Sequence, residues 1–305
     1  MKIYYEGTEI SGEVLTRKCI VRDTCGDRCD SLELEFENAE GWYRWGPQED
    51  DRISVSEDGY DSGTMFLNTV LPENGKFRIL ATALPCRARR KAYQSFRGRT
   101  IEEIMRACAM ESAMEAQIFG IDGKTAIPYF ERDNESCAAL LLRLLRLEGA
   151  ALKCVNGKYT AIGLLWAQER AAAQTIRLMA DQEGAEHRRS GVKLKALTLR
   201  TPYAEATATD TAVPGSHVQQ IVSEHPARDN MQAGRWARSL LIDRNRQCES
   251  LKLSTDYNVS FTAMERIDIS GAEDTAGEWM IAEAEHDFIN KTSQVQLLRC
   301  IKTIR

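Results

Sequence analysis

The chain has 305 residues, of which 43% are hydrophobic and 28% are charged, and its formal net charge is -5 at pH 7. A chain of this length usually divides into two or three domains. The composition is that of a soluble globular protein, and no apolar run approaches the roughly 18 residues that a membrane span requires. The negative net charge disfavours non-specific binding of nucleic acid by the whole surface.

The first residues carry no basic block followed by an apolar block, so we expect no signal peptide and a protein made in the cytoplasm. The nine cysteines are an odd number and lie mostly in apolar segments. This pattern predicts reduced thiols in the core rather than a framework of disulfides.

Residues 1–90 are predicted to form a small β domain. Leu32, Leu34 and Phe36 alternate with glutamates, which is typical of a half-buried antiparallel strand. Turn signals recur at close intervals, at residues 38–41, at Asp58-Gly59 and at Asn74-Gly75. Short strands with frequent turns indicate a small barrel or sandwich.

Residues 91–163 are predicted to form a compact α+β domain. Thr100 and Glu103 have the form of a capping box, which predicts a helix from Thr100 to about Glu115. Asn134 is expected to cap a second, leucine-rich helix that Gly149 ends. A β-hairpin is predicted around Asn156-Gly157, because these residues tolerate positive φ angles.

Residues 164–190 are predicted to be a connecting helix followed by a linker. Leu164 to Glu183 is free of glycine and proline, which favours a helix, and the polar segment Glu186 to Ser190 follows it. Residues 191–305 return to alternating patterns and predict a second, mainly β domain. One helix is expected inside it, from about Met231 to Arg244. The predicted fold class is α+β, mainly β.

The order of these elements resembles that of the phage late control D family. Its members form the baseplate hub of contractile phage tails and of R-type bacteriocin-like particles, and are similar to the hub part of type VI secretion spike proteins. The resemblance rests on the succession of Arg87 to Arg99, the helix from Thr100, Ile127-Pro128-Tyr129-Phe130, Asn134-Glu135-Ser136, Leu140 to Leu147, Gly149 and the hairpin, then Gly234-Arg235-Trp236-Ala237 and Trp279 to His286. The segment from Ser54 to Asn68 departs from the family pattern.

The resemblance implies two small tube-like antiparallel β-barrel domains that flank the α+β middle domain. It also implies a homotrimer whose six barrels match a six-fold tail tube to a three-fold spike. The expected partners are the tail tube protein, the baseplate wedge proteins and a spike protein. We expect the spike to be separate, because the chain ends at Arg305 directly after its last strand. DNA is expected at most to pass through a central channel, and no membrane is involved.

No catalytic residue, cofactor or metal site is predicted. Cys25 and Cys29 lack a second Cys/His pair with zinc-ligand spacing, so we expect free thiols in a loop that connects two strands. None of the four histidines lies in a hydrolase motif, and His286 is expected to be a hydrogen-bonded structural residue. The pairs Glu33/Glu35 and Glu283/Glu285 suit a solvated sheet face, or an acidic channel lining that repels DNA.

A basic run is the remaining candidate site. It consists of Arg87, Arg89, Arg90, Lys91, Arg97 and Arg99, with Tyr93 and Phe96 among them and no acid between Cys86 and Ile101. We predict that it forms contacts with other subunits, since arginine pairs with carboxylates and stacks on rings. The alternatives are a nucleic-acid surface, as in a DNA-binding accessory protein, or a solvated loop. A tail-associated cell-wall hydrolase that uses two carboxylates is the rival from another class.

Overall fold

The computed structural model describes residues 1–37, 46–73, 75–179, 182–222 and 226–305. Strands account for 49% of the residues and helices for 17%, which confirms the predicted α+β, mainly β class. Two predicted turns, at residues 38–41 and at Asn74, fall on residues outside the described ranges. Within those ranges, no helix has the length and apolarity needed to cross a membrane.

Eight strands form the first β domain: β1 (Lys2–Tyr5), β2 (Thr8–Glu9), β3 (Leu15–Thr24), β4 (Ser31–Glu37), β5 (Arg52–Glu57), β6 (Tyr60–Asp61), β7 (Met65–Glu73) and β8 (Lys76–Thr82). Leu32, Leu34 and Phe36 are buried in the core, as the alternating pattern predicts. Asp58 and Gly59 have positive φ angles of 48° and 89° and form the turn between β5 and β6.

The middle domain contains a 3-10 turn (Cys86–Arg89), β9 (Ala92–Thr100), α1 (Ile101–Ser112), β10 (Glu115–Phe119), β11 (Ala126–Glu135), α2 (Cys137–Leu147), β12 (Ala150–Val155) and β13 (Lys158–Gly163). Thr100 and Glu103 form the predicted capping box. Ser136, not Asn134, caps α2, because the Ser136 hydroxyl accepts a hydrogen bond from the Ala139 amide. Asn134 instead lies in β11 with a φ angle of 48°.

The predicted connecting helix is mostly wrong. A short helix, α3 (Leu164–Glu169), is followed by two strands, β14 (Gln174–Leu178) and β15 (Ala185–Arg189). β14 pairs in parallel with β20 (Arg266–Gly271), and β15, which includes part of the predicted linker, pairs with β19 (Glu249–Asp256). Long-range pairing therefore overrides the helix propensity of this segment.

The remaining elements are β16 (Ala196–Arg200), β17 (Glu205–Thr209), β18 (Val218–Val222), α4 (Asn230–Arg246), β21 (Gly277–Asp287) and β22 (Thr292–Arg299). The helix predicted from Met231 to Arg244 corresponds to α4. It begins after Asp229, whose side chain accepts a hydrogen bond from the Gln232 amide. α4 packs on β16 and β17, where Trp236 and Leu241 are fully buried.

The two β domains share one sheet. β21 pairs with β3 in antiparallel register, from Glu283 opposite Thr24 to Asp287 opposite Ile20. This contact joins fourteen of the described strands, in the order β15-β19-β22-β21-β3-β4-β8-β7-β5-β1-β2 with β14, β20 and β6 as branches. The order does not return to its starting strand, so two separate closed barrels are not seen among the described strands.

A buried charge cluster joins the middle domain to the first β domain. The Lys153 ammonium in β12 pairs with Asp23 and lies 3.0 Å from Asp30 Oδ2. All three side chains are buried. Burial raises the pKa of Asp30 to about 6, although the nearby Lys153 charge acts in the opposite direction. Lys153 therefore compensates two carboxylates that have little access to water.

We predict that Lys153→Met destabilises the protein by about 3 to 5 kcal/mol, because it leaves two buried carboxylates without a cation. Lys124→Met is the matched control, since Lys124 is exposed, and its effect is expected to stay within about 0.5 kcal/mol. Urea denaturation at pH 7 measures both values. Equal stability of the two variants would contradict the role assigned to Lys153.

Glu249 anchors a second charge cluster inside the second β domain. Its carboxylate lies 2.7 Å from Arg299 Nη2, 3.3 Å from Lys193 Nζ and 3.3 Å from His187 Nε2. Burial acts to raise the pKa of Glu249, but hydrogen bonds and charge from Arg299 and Lys193 lower it to about 2. The ionised form is therefore favoured in the folded state.

Because the folded-state pKa of Glu249 lies below its ordinary value of 4.5, its ionised form stabilises the fold above that pH. This contribution, on the order of 3 kcal/mol, is lost as the pH falls through 4.5 towards 2. We predict that Glu249→Gln is less stable than the wild type at pH 6 and that the difference shrinks on acidification. A stability difference that does not change with pH would contradict this linkage.

Candidate interaction surface

A long two-stranded ribbon carries the last two cations of the basic run, and the other four lie in the 3-10 turn and the residues that lead into β9. β9 and β11 pair with each other and with no other described strand. Phe96 lies opposite Phe130, and both rings are buried against the core. Arg97 and Arg99 are exposed on β9. The alternation of the strand thus fixes the ribbon by its aromatic face and leaves the cations accessible.

Arg89 lies at the end of the 3-10 turn and points into the protein. Its guanidinium donates hydrogen bonds to Asn68 Oδ1, to Thr82 Oγ1 at 2.8 Å and to the Leu84 carbonyl at 3.1 Å. These partners lie in or just after β7 and β8. Arg89 therefore fastens the turn to the first β domain, which differs from the contact role that the sequence predicts for it.

Arg97 and Arg99 already have partners inside the chain. Arg99 lies 3.3 Å from Glu103 across the start of α1. The Arg97 guanidinium lies 5.9 Å from the centre of the Tyr129 ring, and Arg228 lies 5.7 Å from the same ring. Arg228 also stacks 4.5 Å from the ring of Tyr203. This series of cations and rings links the ribbon to the second β domain.

Arg87, Arg90 and Lys91 are exposed, and none of them forms an ion pair with any other described residue. We call these three residues the basic triplet. Tyr93 is 75% exposed and follows the triplet on the same segment. The structure thus turns Arg89 inward and leaves half of the predicted cations free of an ionic partner within the described chain.

Arg132 is a functional support that the sequence analysis missed. It is 2% exposed, both of its contacts with the Glu111 carboxylate are 2.9 Å, and it donates to the Arg90 carbonyl at 2.6 Å. It holds the backbone of the triplet in place. Its position two residues after the buried Phe130 is the signal that could have placed it on the core face of β11.

Glu33 and Glu285, two of the four glutamates in the predicted acidic pairs, are held in ion pairs. Glu33 is 5% exposed and lies 2.6 Å from Arg78, 2.7 Å from Lys18 and 3.7 Å from Arg22. Burial acts to raise the pKa of Glu33, but its bonds to Lys18 and Arg78 lower it overall. Arg22 also binds Glu285, at 2.7 Å. These carboxylates form a ladder of ion pairs across the joined sheet instead of a free acidic lining.

His286 has the hydrogen-bonded structural role that the sequence predicts. It is fully buried on β21 at the contact with β3. Its Nε2 lies 3.0 Å from the Phe261 carbonyl, and its Nδ1 lies 2.9 Å from the Ser293 hydroxyl. Since a carbonyl only accepts, Nε2 carries the proton and Nδ1 accepts from Ser293. Burial lowers the pKa of His286, so the ring is neutral.

Cys25 and Cys29 lie in the loop between β3 and β4, as expected, and are free thiols. The loop contacts the middle domain, because the Gly26 amide donates to the Leu152 carbonyl at 3.0 Å. Burial raises the pKa of the Cys25 thiol to about 12, which keeps it protonated at neutral pH. The described geometry therefore gives the loop a packing role.

The chain has the fold of phage tail proteins. It superposes on a tail protein from Neisseria meningitidis MC58 with a TM-score of 0.77 and 9% identity, over 98% of this chain and 95% of that one. The 43 kDa tail protein of prophage MuSo2 from Shewanella oneidensis gives a TM-score of 0.69 and 13% identity, over 99% and 98% of the two chains.

A component of the type VI secretion system of E. coli has the same fold. Its TM-score is 0.60 at 10% identity, over 99% of this chain and 77% of that one. That protein is itself structurally similar to the T4 bacteriophage tail proteins gp27 and gp5. No protein-family model and no curated protein sequence matches the chain.

We predict that Arg89 and Arg90 differ in their effect on stability although they are neighbours in sequence. Arg89→Ala is expected to lower the free energy of unfolding by about 1.5 to 3 kcal/mol, because it removes hydrogen bonds from a charged donor. Arg90→Ala is expected to change it by less than about 0.5 kcal/mol. Chemical denaturation measures the free energy of unfolding of both variants. Equal losses would contradict the assignment of Arg89 to internal hydrogen bonds and of Arg90 to the surface.

Proposed function

We propose that the chain is a structural baseplate hub of a contractile phage tail or of a tail-like bacteriocin particle, of the late control D type. In this proposal three copies form a ring that matches a six-fold tail tube to a three-fold spike. Its partners are the tube protein, a separate spike protein and the baseplate wedge proteins. It is made in the bacterial cytoplasm and assembled into the baseplate, and it works by binding rather than by catalysis.

The observation that carries the proposal is the full-length likeness to tail proteins. Matches over 95% and 98% of two other chains include all three regions of this fold in the same order. The likeness to a type VI secretion component supports a place in a contractile machine, since that protein resembles T4 tail proteins. At 9% to 13% identity the shared property is the fold, and the role follows from it as our inference.

The rigid union of the domains supports a role as a force-bearing adaptor. The β3–β21 pairing makes the two β domains one sheet, and Glu148 fastens the middle domain to α4. Its carboxylate binds Arg235 Nε at 2.9 Å and Trp236 Nε1 at 2.8 Å. Two β domains held in fixed relation within each subunit are what a trimer needs to present six similar positions to a tube.

The basic triplet is the proposed contact with another protein of the assembly. Three exposed cations without an ionic partner among the described residues repel one another, and a carboxylate-bearing surface would relieve that repulsion. The DNA-binding alternative depends on the same three residues, so it is tested together with this proposal. The hydrolase alternative finds no support in the Glu33 and Glu285 carboxylates, because both are occupied by arginine.

We predict a trimer in light scattering, either for the purified chain alone or in a mixture with the spike protein of the same particle. A trimeric mass supports the hub, because symmetry matching requires three copies. A strict monomer in both samples would refute it, and turnover of peptidoglycan by the same sample would then favour the hydrolase.

We also predict that reversing the triplet, with Arg87→Glu, Arg90→Glu and Lys91→Glu, weakens the assembly by one to two orders of magnitude, because charge complementarity becomes repulsion. The matched control reverses Lys124, Arg188 and Arg238, which are also exposed. Fluorescence anisotropy with a labelled DNA duplex accompanies both. Salt-dependent DNA binding that only the triplet variant loses would favour the accessory-protein alternative.

A further inference from the structure

A small three-stranded sheet in the second β domain has an open edge at β18. β16 lies in its centre, with β17 antiparallel on one side and β18 parallel on the other. No other described strand pairs with β18. The outer backbone amides and carbonyls of Val218–Val222 are therefore unpaired within the described part of the chain, and they form a template for an added strand.

β18 lacks the features by which proteins protect an open edge. Its sequence is Val-Gln-Gln-Ile-Val, without charge, proline or glycine. Natural edge strands usually carry a lysine, a proline or a bulge, because an uncharged edge with high β propensity pairs with other chains. An unprotected edge of this composition is therefore a liability unless a partner covers it.

Every other open edge among the described strands carries at least one charged residue. These residues are Glu9 in β2, Asp61 in β6, Arg97 in β9, Glu115 in β10, Glu131 in β11, Lys153 in β12, Arg177 in β14, Arg188 in β15 and Glu205 in β17. β18 is the exception within the described residues, which marks it as an edge of a different kind.

The side chains of β18 show the same preference for a partner. Ile221 lies opposite Leu199 and is a partly buried side chain that packs against the core. Val218 and Val222 lie on the opposite face and are 59% and 73% exposed. Two large aliphatic side chains thus stand in solvent four residues apart, with Gln220 between them. A strand that added to this edge would cover both valines and satisfy the free backbone groups together.

We propose that β18 accepts an extended, uncharged segment of a separate protein as a fourth strand of this sheet. Backbone hydrogen bonds along Val218–Val222 hold the segment, and apolar side chains at alternate positions pack on Val218 and Val222. A charged segment is disfavoured, because it would place an ion beside the valines with no opposite charge on β18.

A separate protein fits this edge better than a second copy of the chain. A second copy would bring one of the charged edges named above, or else its own β18. Pairing of two β18 strands produces a two-fold dimer, since such a contact is self-complementary. The two ends of a tail assembly differ, whereas the two subunits of a two-fold dimer point in opposite directions. This choice, but not the binding property of the edge, rests on the proposed function.

The test places a photocrosslinking phenylalanine analogue at Gln220, in cells that produce the complete particle. The control places it at Thr207, which is exposed on β17 and lies one strand beyond β16. We expect a product at Gln220 that contains this chain and another protein, whose crosslinked peptide is an uncharged extended segment. The yield is expected to be at least about tenfold above that at Thr207, which corresponds to about 1.4 kcal/mol.

Val222→Lys is expected to abolish the Gln220 product, because it adds a charge at the open edge. Val192→Lys changes another exposed valine, which lies outside β18 and is 57% exposed, and is expected to leave the product intact. A Gln220 product of two copies of this chain would overturn the proposal, as would yields equal to the control. If the chain is absent from purified particles, the proposed function fails, and crosslinking in the cells still decides the role of β18.

Discussion

The antiparallel pairing of β3 with β21 is the constraint on which the rest of the structure depends. Residues 20–24 meet residues 283–287, so strands from the two ends of the chain become neighbours in one sheet. Each buried backbone group in this contact needs its partner, because an unpaired amide or carbonyl away from water is costly. The two β domains therefore cannot rotate against one another without breaking a ladder of hydrogen bonds. The ring of His286 lies in β21 at the same contact and is fully buried.

The middle domain is held to this double unit from two sides. Lys153 binds carboxylates of the first β domain, and Glu148 binds Arg235 and Trp236 of α4 in the second. Both contacts are charged and long-range in sequence. Lys153 and its carboxylates are buried, so loss of either side would leave an uncompensated buried ion, whereas the Arg235 side chain beside Glu148 is 37% exposed. The consequence is a single block in which the ribbon and the edge of β18 have fixed relative positions. Fixed positions are what the proposed ring of three copies would require of each subunit.

Local signals in the sequence predicted the elements that depend on local physics. The Thr100 capping box, the Asn156-Gly157 hairpin and α4 each have a cap or turn residue whose conformational preference decides the structure. The predictions were wrong where pairing with a distant strand determines the secondary structure. An example is β14, which pairs with β20 nearly a hundred residues away in sequence. The β3–β21 pairing could not be predicted from the sequence for the same reason, since no local pattern encodes a partner more than 250 residues away.

The candidate site shows the same division at the level of single side chains. The sequence identified the basic run, but Arg89 and Arg90 are adjacent and chemically identical, and only the fold turns one inward and the other outward. The acidic pairs were likewise visible, whereas the cations that neutralise Glu33 come from β3 and β8. Candidate interaction surfaces can therefore be recognised by the charged side chains and backbone groups that find no partner within the fold.

Two kinds of unmatched group are present among the described residues of this block, and they act over different ranges. The charge of the basic triplet acts over about 8 to 10 Å at moderate salt, so it can orient an approaching partner before contact. The free backbone groups of β18 act only at hydrogen-bond distance and require an extended partner in register. Because the block holds both surfaces rigidly, the first can steer assembly and the second can fix its register. In the proposed hub, ordered assembly around a tail tube needs both properties, because a chain that offered only charge would bind acidic surfaces without selecting an orientation.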